Sequence, residues 1–132
     1  MKWPFKNIIK EYPPFWKTYL SYFEEKNNER RYVVFDSETT GLDTQNDRIL
    51  SIGAVAIIGN QIVVNDYFQV FISQEIFNAA TVPIHGILKE GNLPKISEQE
   101  AVIQFLNFIK NATLVGHHIS FDIEIINEAL DR

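Results

Sequence analysis

The sequence contains one tight pairing of reactive side chains. Asp36 and Glu38 flank Ser37 at the end of the apolar run Val33-Val34-Phe35, and Thr39-Thr40-Gly41-Leu42 follow. The run is short and rich in β-branched residues, which reads as a buried strand. Side chains alternate along an extended chain, so the two acids project to one side and Ser37 to the other. Neighbouring carboxylates repel each other, and a cation between them relieves the repulsion. Hard oxygen ligands of this kind suit Mg²⁺ or Mn²⁺. The same residues also suit a plain turn closing a strand, since Asp, Ser, Thr and Gly are all turn formers. The local pattern leaves both readings open. In either case Gly41 frees the chain to turn away at once.

The elements that must position this pair can be read along the chain. Arg48 to Ile58 reads as a second strand, Gly59-Asn60 as a tight turn, and Gln61 to Ile72 as a third strand. The segment from Gln74 to Leu93 is mixed and predicts one short helix plus loop. Ser97-Glu98-Gln99-Glu100 is a capping box, and Ala101, Val102, Phe105, Leu106, Phe108 and Ile109 follow at helical spacing, so a helix should run to about Asn111. Thr113 to Gly116 is a short strand reached through that helix, hence parallel to the first. Ser120 is placed to cap a final helix with Asp122 in its first turn.

The first thirty residues differ from the rest. Eight of the seventeen aromatic residues lie between Trp3 and Phe23. Phe15, Trp16, Tyr19, Leu20, Tyr22 and Phe23 fall on one face of a helix expected from about Pro14 to Lys26. That face either packs on the core or docks a partner protein. The expected division is an aromatic-rich extension over residues 1–30 and the domain that carries the acids over 31–132.

The 132 residues suffice for one domain with a real core. With no cysteine, thiolate metal sites and cysteine nucleophiles are excluded. Apolar runs reach only about five residues, far short of a membrane span. No secretory leader is visible, so the expected location is cytoplasmic. A net charge of −5 does not announce a nucleic-acid binder, because phosphate contacts want Lys and Arg. It suggests modest intrinsic affinity, aided by cations or partners.

The residues 36–42, D-S-E-T-T-G-L, resemble the first motif, D-x-E-T-T-G-L, of the DnaQ-like 3′→5′ exonucleases. This is the proofreading (DEDD) family that includes the epsilon subunit of bacterial DNA polymerase III. Gly116-His117-His118-Ile119-Ser120-Phe121-Asp122 resembles its second motif, G-H-N-x-x-F-D. The resemblance covers roughly Tyr32 to Asp131. It implies an α/β, ribonuclease-H-like exonuclease fold: a mixed sheet of three antiparallel strands, then a parallel strand, with the C-terminal part missing. It implies two divalent cations, Mg²⁺ or Mn²⁺, roughly 3.5–4 Å apart. Asp36 would bridge both, Glu38 would bind one and orient the nucleophile, and Asp122 would hold the other. Thr39 and Thr40 would contact the terminal nucleotide through N–H and hydroxyl groups. Gly41 and Leu42 would shape the pocket, Leu42 wedging against a base. His85, in Val82-Pro83-Ile84-His85-Gly86-Ile87, resembles an element beside the nucleotide pocket. His117 matches the family's histidine, whereas His118 stands where the family usually has Asn. Both are expected to position the loop, and His118 to face the substrate.

The family's third motif, a His followed five positions later by an Asp on a last helix, has no counterpart here. The chain closes at Arg132, ten residues after Asp122. The expectation is therefore an incomplete segment of a longer enzyme, lacking the general base, the fourth carboxylate, a fifth strand and a last helix. The expected substrate is the 3′ end of a single strand, DNA favoured, with a DNA polymerase subunit as a possible partner. The alternatives are an exonuclease acting on RNA or oligoribonucleotides, and a non-catalytic nucleic-acid- or polymerase-binding module.

Overall fold

The computed structural model describes residues 11–25, 30–75, 86 and 93–132. In chain order the elements are α1 (Pro14–Ser21), a 3₁₀ turn (Tyr22–Glu24), β1 (Arg31–Thr39), β2 (Ile49–Ile58), β3 (Gln61–Phe71), α2 (Glu98–Ile109), β4 (Thr113–Val115) and α3 (Ile119–Asp131). The sheet runs in the order β3-β2-β1-β4. β1 is antiparallel to β2 and β2 to β3, while β1 and β4 run parallel. This is the mixed sheet that the sequence predicts. The short helix expected between 74 and 93 lies largely outside the described residues.

The two faces of β1 divide the molecule. Val33 and Phe35 point into the core with Ile52, Val70, Phe105, Leu106 and Ile125. Asp36 lies on the opposite, uncovered face and is exposed. Phe105 is the hub of the core: its ring centroid lies 5.1 Å from that of Phe35 and 5.8 Å from that of Phe68. Ser97 caps α2 as expected, accepting a hydrogen bond from the Glu100 N–H at 3.2 Å. The helix stops at Ile109, two residues before the predicted end, because Lys110 adopts φ 48°. β3 ends at Phe71, and Ile72 continues as an isolated parallel bridge to Ile96.

Arg31 fastens the start of β1. Its guanidinium donates from Nε and Nη2 to the two carboxylate oxygens of Asp66 on β3, at 3.2 and 3.3 Å. From Nη1 it donates to the Phe108 and Ile109 carbonyls, at 2.8 and 3.3 Å. Its Cζ lies 4.8 Å above the Phe108 ring. A cation therefore satisfies orphan carbonyls at the negative end of α2.

The aromatic helix is shorter than predicted. Thr18 and Ser21 turn their hydroxyls back onto the Pro14 and Thr18 carbonyls, at 3.1 and 2.6 Å, a habit that weakens helices. The backbone tightens into the 3₁₀ turn at Tyr22 and is extended at Glu25. Phe15, Trp16 and Tyr19 pack against the core, whereas Tyr12, Leu20 and Phe23 stay exposed. The face is thus half core and half surface. Because Trp16 is only partly buried, Trp16→Ala should destabilise the protein by about 1.5–3 kcal/mol, below the range for a fully buried tryptophan. Urea unfolding measures this, and a loss near zero would show that the helix is not part of the core.

Candidate metal and nuclease site

β1 carries Asp36 and Glu38 to the end of the sheet where α3 begins. Its pairing with β4 finishes at Val34↔Val115. Beyond that point no strand among the described residues lies beside the β1 edge. The Ser37 N–H on that edge donates instead to Oδ1 of Asp122, at 3.1 Å, and the Ser37 hydroxyl donates to the same oxygen at 2.5 Å. Asp122 sits in the first turn of α3, as predicted, and its side chain is 3% exposed. Burial pushes its carboxyl above the ordinary range, the Ser37 hydroxyl opposes that shift, and the Asp36 charge adds to it. The two acids therefore feel each other at the sheet's end.

The fit to divalent cations rests on these donors. No Lys or Arg among the described residues forms an ion pair with Asp36 or Asp122. Among the described residues no three acid or imidazole groups stand close enough together to cage an ion. The sequence predicted that Asp36, Glu38 and Asp122 converge. The structure brings them to one end of the sheet and couples Asp36 to Asp122 without closing such a cage. Mg²⁺ is commonly held by one or two carboxylates, with water and phosphate oxygens completing the shell, so the donor set suits it. The residue opposite Asp36 on β2 is Gly53. It is exposed, and a Cβ there would meet no heavy atom within 4 Å, so the approach to Asp36 is open on that side.

A β-bulge follows the acids. Glu38 pairs with Ser51 but Thr39 with Ile49, so one extra residue, Leu50, is accommodated on β2. Bulges re-aim a strand and are frequent beside active sites. The re-aimed chain enters a loop held by polar contacts. Thr40 is fully buried. Its N–H donates to the Arg48 carbonyl at 2.9 Å, and its hydroxyl donates to Asp47 at 2.8 Å and accepts from the Arg48 N–H at 3.0 Å. The expected contact of Thr40 with a nucleotide therefore does not fit this structure, because both groups are engaged inside the loop. Asp47 also receives the Asp43 N–H, at 2.9 Å. A Cβ on Gly41 would come within 2.4–2.8 Å of the Asp47 carboxylate, so any larger residue would have to displace Asp47 from its contacts with Thr40 and Asp43. Thr39 spends its hydroxyl on the Gly41 carbonyl, at 2.7 Å. Leu42 is 87% exposed, an apolar side chain held out into solvent. Thr44 then reaches across to Glu124 on α3, at 2.8 Å.

On the other motif, Gly116 is also fixed by close approach: a Cβ would lie 3.0 Å from the Phe35 carbonyl. His117 and His118 are exposed, with ring centroids 4.3 Å apart, edge to face. His118, not Ser120, is the N-cap residue of α3, and its side chain makes no capping hydrogen bond. Its backbone is left-handed, φ 50° and ψ 43°. Asn and His both tolerate that region better than most residues, which accounts for His at a position where the motif usually has Asn. His85 lies outside the described residues. Sequence reasoning missed Ser37 and the Thr40–Asp47 contacts. It also missed a cleft of about 680 Å³ at the far end of β1, lined by Arg30, Arg31, Asp66 and Lys110.

Residues 33–132 match the RNase_T family, whose description is Exonuclease. The epsilon subunit of DNA polymerase III from Buchnera aphidicola subsp. Acyrthosiphon pisum is 34% identical over 109 residues, spanning 79% of this chain and 46% of that protein. The PolC-type DNA polymerase III of Thermotoga maritima is 40% identical over 95 residues, spanning 72% of this chain and 7% of that protein. The chain thus spans less than half the length of these relatives. Among solved structures, exonuclease I from Methylocaldum szegediense superposes with a TM-score of 0.69 at 17% identity, covering 76% of this chain and 23% of that one. That likeness shows the fold. No helix among the described residues is long and apolar enough to cross a membrane.

The raised Asp122 carboxyl has a consequence for stability. A group whose pKa rises on folding stabilises the fold fully below its unfolded value and loses that contribution as pH climbs through the folded value. Asp122→Asn keeps the acceptor for Ser37 and removes the charge. Without metal, the variant should match the wild type at a pH below the ordinary carboxyl range and be the more stable of the two at neutral pH. Urea unfolding at both pH values tests this, and a less stable variant at neutral pH would contradict it.

Proposed function

The chain belongs to the exonuclease family, and from that premise we propose that it serves a metal-dependent 3′→5′ exonuclease activity on single-stranded DNA ends. The observation that carries the reading is the exposed Asp36 beside the buried, unneutralised Asp122 at the open end of β1. Asp36, Glu38 and Asp122 would hold two divalent cations. Bound there, the cations would supply charge stabilisation and a water of lowered pKa for phosphodiester hydrolysis.

The chain's own residues do the rest. Gly53 leaves room for a strand end to approach Asp36. Leu42, held out by the braced loop, offers an apolar surface against which a terminal base can stack. Thr39 and Gly41 fix the backbone beneath it. In this reading His118, which is exposed, and His85 would face the substrate. The catalytic unit is taken as 31–132, with residues 1–30 an extension. DNA is favoured because the relatives named above are DNA polymerase subunits. By the same token a polymerase is the favoured partner, in a role such as proofreading.

The native gene product should release 3′-terminal nucleotides from labelled single-stranded DNA in Mg²⁺, and chelation should stop it. Asp36→Ala should lower the rate more than about 100-fold, beyond the loss expected from a merely supporting residue. An unaffected Asp36→Ala variant would refute the assignment. Faster degradation of a matched RNA strand would replace DNA with RNA as the substrate.

A further inference from the structure

Ser37 stands between the two motif acids and, by strand alternation, on the other side from them. Nothing in the nuclease reading gives it work. The structure does: its N–H and its hydroxyl converge on a single oxygen, Oδ1 of Asp122, across 85 residues of sequence. We infer that Ser37 is a positioning residue for the cation site, fixing the Asp122 carboxylate so that Oδ2 is the oxygen presented to a divalent ion.

Two physical points support this. Both donors take the same oxygen, so the carboxylate is held against rotation while its second oxygen remains available. Both donors are also neutral. A Lys or Arg at this place would stabilise the buried anion by neutralising it and would compete with any incoming cation. A serine hydroxyl supports the carboxylate and leaves its charge in place. Outer contacts that orient a ligand in this way typically contribute ~10–100-fold to metal affinity. Ser37 is suited to the task because β4 has already ended. Its N–H is free of the β1–β4 ladder, and the first turn of α3 supplies the acceptor instead.

This inference rests on the cation site proposed above. Calorimetric titration with Mn²⁺ tests it, using the wild type, Ser37→Ala and Ser37→Thr, with metal-free urea unfolding of each. Trp16→Ala serves as a destabilised control remote from the site. Ser37→Ala should bind Mn²⁺ ~10–100-fold more weakly. Ser37→Thr, which restores the hydroxyl, should bind within about threefold of the wild type, and Trp16→Ala should bind normally. Wild-type affinity in Ser37→Ala would overturn the inference alone, and so would a Thr variant as weak as the Ala one. A wild-type chain that binds no Mn²⁺ would overturn the cation-site reading and this inference with it.

Discussion

A nearly buried carboxylate that no cationic side chain among the described residues neutralises sets the terms for this structure. Asp122 could be stable at the end of the sheet only if something compensated it, and the chain supplies two neutral donors from one residue of β1. Those bonds tie the start of α3 to the strand that carries Asp36. The early end of β4 frees the donor, and Gly116 lets the backbone pass close to the Phe35 carbonyl. The cost is a carboxyl pushed above its ordinary range by burial and by the Asp36 charge. The fold bears this cost at one point, while balancing Asp66 with Arg31 and Glu98 with Arg132 elsewhere.

The loop after the acids shows a second device of the same kind. Leu42 is an apolar tip in solvent, and solvent does not hold such a tip in place. The bulge at Glu38/Thr39 turns the chain, and buried Thr40 with Asp47 braces it from within. Leu42 is therefore exposed without being loose. The link from Thr44 to Glu124 joins this brace to α3, so both motif segments are tied together away from the acids as well as at them.

Much of the fold was legible because its signals are local. The capping serine at Ser97, the alternation along β1 and the Gly59-Asn60 turn each fix their element with neighbours in sequence. The parallel placement of β4 followed from the helix before it. The parts that were not legible depend on partners far along the chain. Nothing near Ser37 signals that it holds Asp122, and nothing near Arg31 signals that it clamps both β3 and the end of α2. Thr40 was read as a substrate contact because its letter sits in a motif, yet its groups are consumed by Asp47 and Arg48. Ser120 looked like a cap by type, but the left-handed backbone at His118 starts the helix earlier. In each case a long-range contact or a backbone angle, which no local pattern encodes, decided the outcome.

The central claim is that the end of β1 and the start of α3 form one divalent-cation site. Paramagnetic broadening of amide signals by Mn²⁺, followed residue by residue at substoichiometric metal, tests it most directly. The account predicts that signals of Asp36 to Glu38, Gly53 and Ile119 to Ile123 fade together, while Arg31 and Thr113 at the far end of the sheet persist. Broadening confined to one of the two segments, or spread over exposed acids such as Asp43 and Glu128, would contradict it.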